Sequence, residues 1–91
     1  MVTKTVKVVN KRGLHARPGS DFVNAAKNFT SKITIKRLDE DDDPVNAKSI
    51  AFVLSLGVSC GVEIELSASG EDEQQAIDTL VAMINEGFGD M

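Results

Sequence analysis

Apolar residues recur with two different periods along this chain, and the order in which the periods alternate restricts the fold. The segments Val6 to Val8 and Ile33 to Ile35 show the two-residue period of a half-buried strand. Between them, from Ser20 to Phe29, apolar residues follow the i, i+3, i+4, i+7 spacing of one helix face. A chain that changes period in this way builds two layers, with helices packed over a sheet.

The second half of the chain repeats the alternation. Val45 is expected to begin a short edge strand, and a short helix is expected from Ser49 to Leu56, ended by Gly57. A clear strand pattern occupies residues 62–67, with Val62 among its inward positions, and a last helix is expected to end at Gly87. The predicted order is βαββαβα, and the short connections favour an antiparallel sheet with one exposed face.

The same spacings predict one thin core within a single domain, residues 1–91. A domain this small has no room for a deep enclosed site, so its function is expected in a loop or at a helix end. The acidic connection Asp39–Asp43 is expected to be an exposed hairpin tip. The predicted core residues are Val6, Phe22, Ala26, Phe29, Ile33, Ile35, Ile64, Leu66, Ile77, Leu80, Val81 and Ile84.

Composition argues against several classes of function. The formal net charge is −4 and the four aromatic residues are all Phe, which disfavours nonspecific nucleic-acid binding. Cys60 has no partner for a metal or redox pair, and the acidic run lacks the spacing of a calcium loop. Neither a signal peptide nor an apolar run of membrane-spanning length is visible. We therefore expect a cytoplasmic protein without metal, cofactor, nucleic-acid partner or membrane insertion.

The segment Lys11–Pro18, directly before the first helix, combines the residues that an anion-binding loop with a nucleophile requires. Imidazole is largely neutral and nucleophilic near neutral pH, so His15 could attack phosphorus. The following helix N-terminus offers backbone N–H groups and a positive dipole to an anion. Arg17 can add charge-assisted hydrogen bonds, and Pro18 fits the first helical turn. On residue type alone, however, a single loop histidine is commonly a solvated side chain.

Three blocks of sequence are similar to one known family. Gly13-Leu-His-Ala-Arg-Pro18 resembles the active-site signature of HPr, the histidine phosphocarrier of the bacterial phosphoenolpyruvate-dependent phosphotransferase system. Asn46-Ala-Lys-Ser-Ile50 resembles the regulatory serine region of that family, and Gly70-Glu-Asp-Glu73 resembles the start of its last helix. The resemblance covers essentially the whole chain. It implies an α+β open-faced β-sandwich, with four antiparallel strands and three helices on one face.

The resemblance also implies a function. His15 would accept a phosphoryl group on Nδ1 from phosphorylated enzyme I and pass it to an enzyme IIA domain of the sugar phosphotransferase system. Arg17 would assist the transfer, and the chain would be a relay carrier rather than a free-standing enzyme. The residues expected to support the phosphate are Arg12, Gly13, Ala16 and Pro18.

The second block implies regulation and docking. Ser49 is expected to be a regulatory phosphorylation site, and a serine kinase or phosphorylase would then be a further partner. The alternative is that Ser49 is only a helix cap. The helix that follows would be the docking surface, through Ile50, Val53 and Leu54, with Ile50 as the exposed contact. The protein is expected to be a monomer.

Some features depart from the common family pattern and leave other functions open. Arg12 stands where members often have a small polar residue, and the acidic connection looks about three residues longer. The tail Asn85–Phe88 is similar to that of the nitrogen-related paralogue of HPr. A carrier in the nitrogen-related relay is therefore an alternative, as is a purely regulatory binding module in which His15 is unused. A metal-carrying chaperone is disfavoured because the single cysteine has no partner.

Overall fold

Four strands and three helices alternate along the chain in the predicted order βαββαβα. The structure, a computed structural model, describes residues 1–89, and the predicted domain 1–91 extends two residues beyond them. The elements are β1 (Val2–Lys7), α1 (Ala16–Lys27), β2 (Lys32–Arg37), β3 (Val45–Asn46), α2 (Ile50–Ser55), β4 (Glu63–Ser69) and α3 (Glu73–Asn85), followed by a 3₁₀ turn at Gly87–Gly89.

The strands form one four-stranded sheet in the order β1-β4-β2-β3, and every neighbouring pair is antiparallel. Val6 pairs with Ile64, and Ile35 pairs with Leu66. These side chains point to the same buried face, because residues two apart on a strand share a face. The helices cover this face, and the predicted open-faced β-sandwich is confirmed.

The core agrees with the predicted set apart from Phe29 and Val81, which are only partly buried at its edge. Both belong to a helix pattern but lie at its border, where spacing alone does not distinguish a buried position from a half-buried one. The spacing also missed several buried residues, most of which lie in connections or have small side chains. These residues are Val8, Leu14, Val23, Ala47, Val53, Val58, Ala68 and Ala76.

Several element boundaries differ from the prediction by one or more residues, and two of these differences bear on the site or the core. Helix α1 begins at Ala16, before the apolar spacing that starts at Ser20, and its first turn contains Pro18 as predicted. The predicted phosphate-binding residues therefore belong to the helix itself as well as to the loop before it. Strand β4 begins at Glu63, which leaves Val62 outside the ladder and partly buried. Element ends are the least certain part of a pattern, because a period needs several residues to be recognised.

Helix α2 is anchored at its carboxyl end by an arginine from β2. The Arg37 guanidinium donates from Nη1 to the carbonyl oxygens of Leu56, at 2.9 Å, and Gly57, at 3.1 Å. The same group binds Asp39 through two hydrogen bonds, of 2.8 Å from Nε and 2.7 Å from Nη2. Asp39 raises the pKa of Arg37, and the arginine ties the first part of the exposed acidic connection to the end of α2.

A second anchor joins the connections at the opposite end of the sheet. Asp72 accepts hydrogen bonds from the Thr30 amide, at 2.9 Å, the Ser31 amide, at 3.0 Å, and the Ser31 hydroxyl. These hydrogen bonds, that of the Ser31 hydroxyl foremost, lower the pKa of Asp72 to about 2. The carboxylate thus holds the connection between α1 and β2 against the start of α3.

Candidate functional site

The loop between β1 and α1 is fixed by the close approach of Gly13 to a neighbouring loop. Gly13 has φ +61°, and a Cβ there would overlap the Val58 carbonyl oxygen and lie 2.6 Å from Ser59 Cα. The next residue, Leu14, is fully buried, and its amide donates to the Val58 carbonyl at 3.0 Å. Only glycine fits this position, because a Cβ has no space there and the left-handed backbone adds a further cost for any residue with a side chain.

This anchoring leaves His15 exposed at the N-terminus of α1. Its backbone is extended, with φ −107° and ψ 158°, and its side chain makes no capping hydrogen bond. The amides of Ala16 and Arg17 therefore have no acceptor within the helix, and Pro18 has no amide to satisfy. The first turn carries no acidic residue. An anion next to the His15 ring could accept hydrogen bonds from these two amides and gain from the helix dipole.

Ala16 makes the turn from the extended His15 into the helix in a costly conformation. Its φ of +54° lies in the left-handed region, which costs an L-residue with a Cβ roughly 1–2 kcal/mol. Nothing in the sequence signals this strain, because alanine is an ordinary residue for the first turn of a helix. Strain of this kind persists only where the surrounding structure imposes it, and here the neighbours are the buried Leu14 and the buried Pro18.

Exposed cations flank His15. The Arg17 side chain is 86% exposed, and its Nε lies 4.0 Å from the Asp21 carboxylate, a loose ion pair that does not fix the guanidinium. Lys11 and Arg12 are also exposed. The segment 11–18 contains these three cationic residues and no acidic one, so the site attracts anions although the whole chain has a net charge of −4.

The four residues predicted to support a phosphate fall into two groups. Arg12 and Ala16 are exposed, whereas Gly13 and Pro18 are buried. A buried residue without a polar side chain cannot contact a phosphate on the surface. Gly13 and Pro18 can therefore contribute only by shaping the backbone that presents His15 and Arg17.

Helix α2 presents an exposed apolar surface made of Ile50, Phe52 and Leu54, which are 39%, 54% and 40% exposed. The prediction that Val53 docks a partner is wrong, because Val53 is fully buried in the core. Phe52 was not predicted as a contact, yet it is the most exposed of these three side chains. All five residues from 50 to 54 are apolar, so no periodicity could separate the inward side from the outward side.

The apolar surface of α2 lies close to the histidine loop. A Cβ on Gly19, in the second turn of α1, would lie 3.2 Å from Leu54 Cδ2. Gly19 is buried, and α1 packs directly against α2. A partner that covers the α2 surface would thus also face the N-terminus of α1, where His15 is exposed.

Ser49 is the N-cap of α2, as one of its two interpretations predicted. Its hydroxyl accepts a long hydrogen bond of 3.4 Å from the Phe52 amide, and its backbone carbonyl accepts from the Val53 amide at 3.0 Å. The side chain is half-buried. Its regulatory phosphorylation stays a prediction.

One residue of the loop between β1 and α1 was not predicted to be part of the site. Asn10 is fully buried beneath the turn that precedes His15. It lies in a polar, loop-forming segment, and no pattern in the sequence distinguishes a buried asparagine from a solvated one.

Within residues 1–89, no cluster of three or more His, Cys, Asp or Glu side chains could hold a metal ion. No helix in that part of the chain is both long and apolar enough to cross a membrane.

Comparisons with known proteins point to one family. The model described as "PTS HPr component phosphorylation site" matches residues 2–86. The chain is 48% identical over 86 residues to the HPr-like protein Crh of Bacillus subtilis, covering 94% of this chain and 98% of that one. It is 43% identical over 88 residues to the phosphocarrier protein HPr of Treponema pallidum, covering 97% of each chain.

A solved structure of HPr from Thermoanaerobacter tengcongensis superimposes with a TM-score of 0.93, at 46% identity, over 100% of this chain and 99% of that one. A dimer of HPr from the same organism matches with a TM-score of 0.75, at 47% identity, over 98% of this chain and 99% of that one. The chain also matches longer proteins: it is 43% identical over 89 residues to the multiphosphoryl transfer protein of Haemophilus influenzae, 98% of this chain but only 18% of that protein.

Proposed function

The chain belongs to the HPr phosphocarrier family of the phosphotransferase system, and we propose that His15 accepts a phosphoryl group from phosphorylated enzyme I and donates it to an enzyme IIA domain. The observation that carries this proposal is the exposed His15 side chain at the uncapped N-terminus of α1. A nucleophile and an anion-binding helix end are thereby joined in one loop.

The proposed transfer is a displacement at phosphorus. The lone pair of His15 Nδ1 forms the new N–P bond while the bond between phosphorus and the donor breaks, and the reverse step at enzyme IIA discharges the carrier. The amides of Ala16 and Arg17 and the Arg17 guanidinium would stabilise the charge on the phosphoryl oxygens. The protein's role is to position these groups, since phosphoryl transfer depends mainly on orientation and charge stabilisation.

Docking would use the apolar surface of α2. Ile50, Phe52 and Leu54 can lose water against an apolar partner surface, while the cations around His15 steer an acidic partner site towards the loop. We infer that enzyme I and the enzyme IIA domain use this one surface in turn, because it adjoins the phosphate site through the contact of α1 with α2.

Labelling with enzyme I and phosphoenolpyruvate tests this function. Wild-type protein should take up one phosphoryl group in an acid-labile, base-stable adduct, and His15→Ala should take up none. The chain contains no other histidine, so an adduct of that stability has one expected site. Because His15 is exposed, the variant should keep the wild-type unfolding midpoint; a folded His15→Ala protein that still takes up label would overturn the assignment.

A purely regulatory binding protein is the second candidate. It is favoured by the 48% identity to Crh, which a solved structure describes as the catabolite repression HPr of Bacillus subtilis, and by the position of Ser49 at the start of α2. A regulator would bind its partner equally well in the wild-type and His15→Ala forms and would accept no label. The choice between the sugar and nitrogen-related relays, the cytoplasmic location and the monomeric state stay predictions.

A further inference from the structure

Asn10 occupies an unusual place for a polar residue. It lies in the loop between β1 and α1 and is 0% exposed. Ser31 is the other polar residue that is fully buried within residues 1–89, and its hydroxyl is bound by the Asp72 carboxylate. Only part of the hydrogen-bonding capacity of the Asn10 side chain is used. A complete hydrogen-bond network therefore does not explain why this side chain is buried.

Two hydrogen bonds join Asn10 to Gly13 and close the turn between them. The Asn10 side chain donates from Nδ2 to the Gly13 carbonyl oxygen at 2.9 Å. The Gly13 amide donates in return to the Asn10 carbonyl oxygen at 3.2 Å. The turn is thus held through both the side chain and the main chain of one residue.

The remaining polar atom of the side chain is unpaired. Asn10 Oδ1 is buried and finds no hydrogen-bond donor among the described residues. A buried acceptor without a donor costs stability, and an apolar side chain at this position would avoid that cost. Asn10 therefore does not serve stability alone, and its Nδ2 contact to Gly13 is the one feature that an apolar residue could not supply.

The contact lies a short distance along the chain from the reacting residue. The Gly13 carbonyl belongs to the peptide that enters Leu14, and Leu14 is fully buried with its amide bound to the Val58 carbonyl at 3.0 Å. His15 follows directly. With Gly13 held by Asn10 and Leu14 held by Val58, the backbone that carries His15 has little rotational freedom.

We propose that Asn10 is a positioning residue for phosphoryl transfer: its buried amide fixes the Gly13–Leu14 peptide and thereby sets the His15 ring against the N-terminus of α1. This inference rests on the proposed function of His15. Positioning of this kind acts on the transfer step and not on docking, because the apolar surface of α2 is formed by other residues.

The test compares kcat and KM for phosphorylation of the carrier by enzyme I and phosphoenolpyruvate. Asn10→Ala should lower kcat about tenfold, because a small displacement of a reacting group is costly to the rate. Its KM should stay within about twofold of wild type, since KM reflects docking when the complex dissociates faster than it transfers the phosphoryl group. Asn10→Ser keeps a shorter donor and should give an intermediate kcat.

A structural control separates positioning from simple destabilisation. Asp72→Ala removes the hydrogen bonds to the Thr30 and Ser31 amides at the opposite end of the sheet. It should lower the unfolding midpoint but leave kcat unchanged at a temperature where the protein is folded. The ring ¹⁵N chemical shifts of His15 should likewise move in Asn10→Ala and not in Asp72→Ala.

Each outcome of these measurements either supports or overturns the positioning role of Asn10. Wild-type kcat in Asn10→Ala, a change in KM alone, or an equal loss of kcat in Asp72→Ala would overturn the positioning role while leaving labelling of wild-type His15 intact. If Asn10→Ala does not fold, Asn10→Ser decides by the same criteria. Absence of label on the wild-type protein would instead overturn the proposed function, and the inference with it.

Discussion

At the scale of single residues, the site depends on side chains that are exposed and on backbone that is held rigidly beneath them. His15 and Arg17 reach solvent, whereas Gly13, Leu14 and Pro18 around them are buried. The buried backbone restricts where the His15 ring can lie, and the exposed guanidinium keeps the freedom to follow a phosphoryl group. Substitutions of exposed residues should therefore change rates, and substitutions of buried ones should change both rate and stability.

Arg17→Ala should slow phosphoryl transfer at His15 by roughly 10–100-fold, the effect of removing a charge-assisted contact of about 1.5–3 kcal/mol. Because the side chain is 86% exposed and packs in no core, the unfolding midpoint should stay within the range of ordinary surface substitutions. The initial rate with enzyme I measures the effect, and Lys27→Ala, at the far end of α1, is the matched control. Equal rates for Arg17→Ala and wild type would exclude a role for Arg17.

The lowered pKa of Asp72 predicts that the stability of the protein depends on pH in the acid range. Its folded pKa of about 2 lies below the ordinary value of 3.8, so the unfolded chain binds a proton more readily than the folded chain. The stabilisation is therefore present above about pH 4 and is lost as the pH falls from about 4 towards 2. Asp72→Asn should unfold at a lower temperature than wild type at pH 6. The difference between the two unfolding midpoints should become smaller as the pH falls from about 4 towards 2.

The control for the acid experiment is Asp41→Asn, which removes the same charge from the exposed acidic connection. The difference in unfolding midpoint between Asp41→Asn and wild type should not shrink in the same way over this pH range. A constant difference between wild type and Asp72→Asn from pH 6 to pH 2 would show that the hydrogen bonds from Thr30 and Ser31 do not stabilise the ionised carboxylate.

At the scale of elements, α2 combines weak intrinsic stability with strong anchoring. A six-residue helix is too short to be stable alone, so it depends on its ends and its packing. Ser49 caps one end, Arg37 binds the carbonyls at the other, and Val53 is buried between them. The exposed apolar side chains are thereby held in place without contributing to the core, as a docking surface requires.

Phosphorylation of Ser49 should act on docking rather than on the helix. Aspartate also caps helices well, so Ser49→Asp should keep the fold, and its charge meets the favourable end of the helix dipole. Beside the apolar surface of α2, however, that charge must be desolvated against the partner. The initial rate of His15 phosphorylation should fall in Ser49→Asp, and further in the phosphorylated protein, whose added charge is about −1.5 to −2.

Two uncharged variants of Ser49 separate the effect of the added charge from the effect of losing the helix cap. Ser49→Asn keeps a capping side chain without charge and should transfer at the wild-type rate. Ser49→Ala should also transfer normally but lose roughly 1 kcal/mol of stability with the cap. An unchanged rate in both Ser49→Asp and the phosphorylated protein would leave Ser49 as a helix cap only.

At the scale of the whole molecule, one layer of helices over one sheet places all the apolar burial in a single core. Leu80, on α3, is fully buried in it. Leu80→Ala should lower the free energy of unfolding by about 2–5 kcal/mol, because it removes buried methyl groups and leaves a cavity. Leu54→Ala makes the same chemical change on the 40% exposed surface and should cost much less.

Denaturant unfolding of the two variants provides the measurement for this prediction. An equal loss of stability in Leu80→Ala and Leu54→Ala would show that α3 does not pack as described. A further expectation follows for function: Leu54→Ala, but not Leu80→Ala in its folded state, should raise KM for enzyme I.

The sequence alone determined the number, type and order of the elements, the antiparallel sheet and the anion-attracting character of the loop at His15. It could do so because hydrophobic period, turn residues and charge are local properties of the chain. It did not determine the start of α1, the strained φ of Ala16, or which side of α2 faces solvent. Those depend on contacts between segments distant in sequence, as Val53 and Phe52 show within a uniformly apolar helix. The burial of Asn10 was also decided by tertiary structure, because only the packing of the loop closed by Gly13 removes that side chain from water.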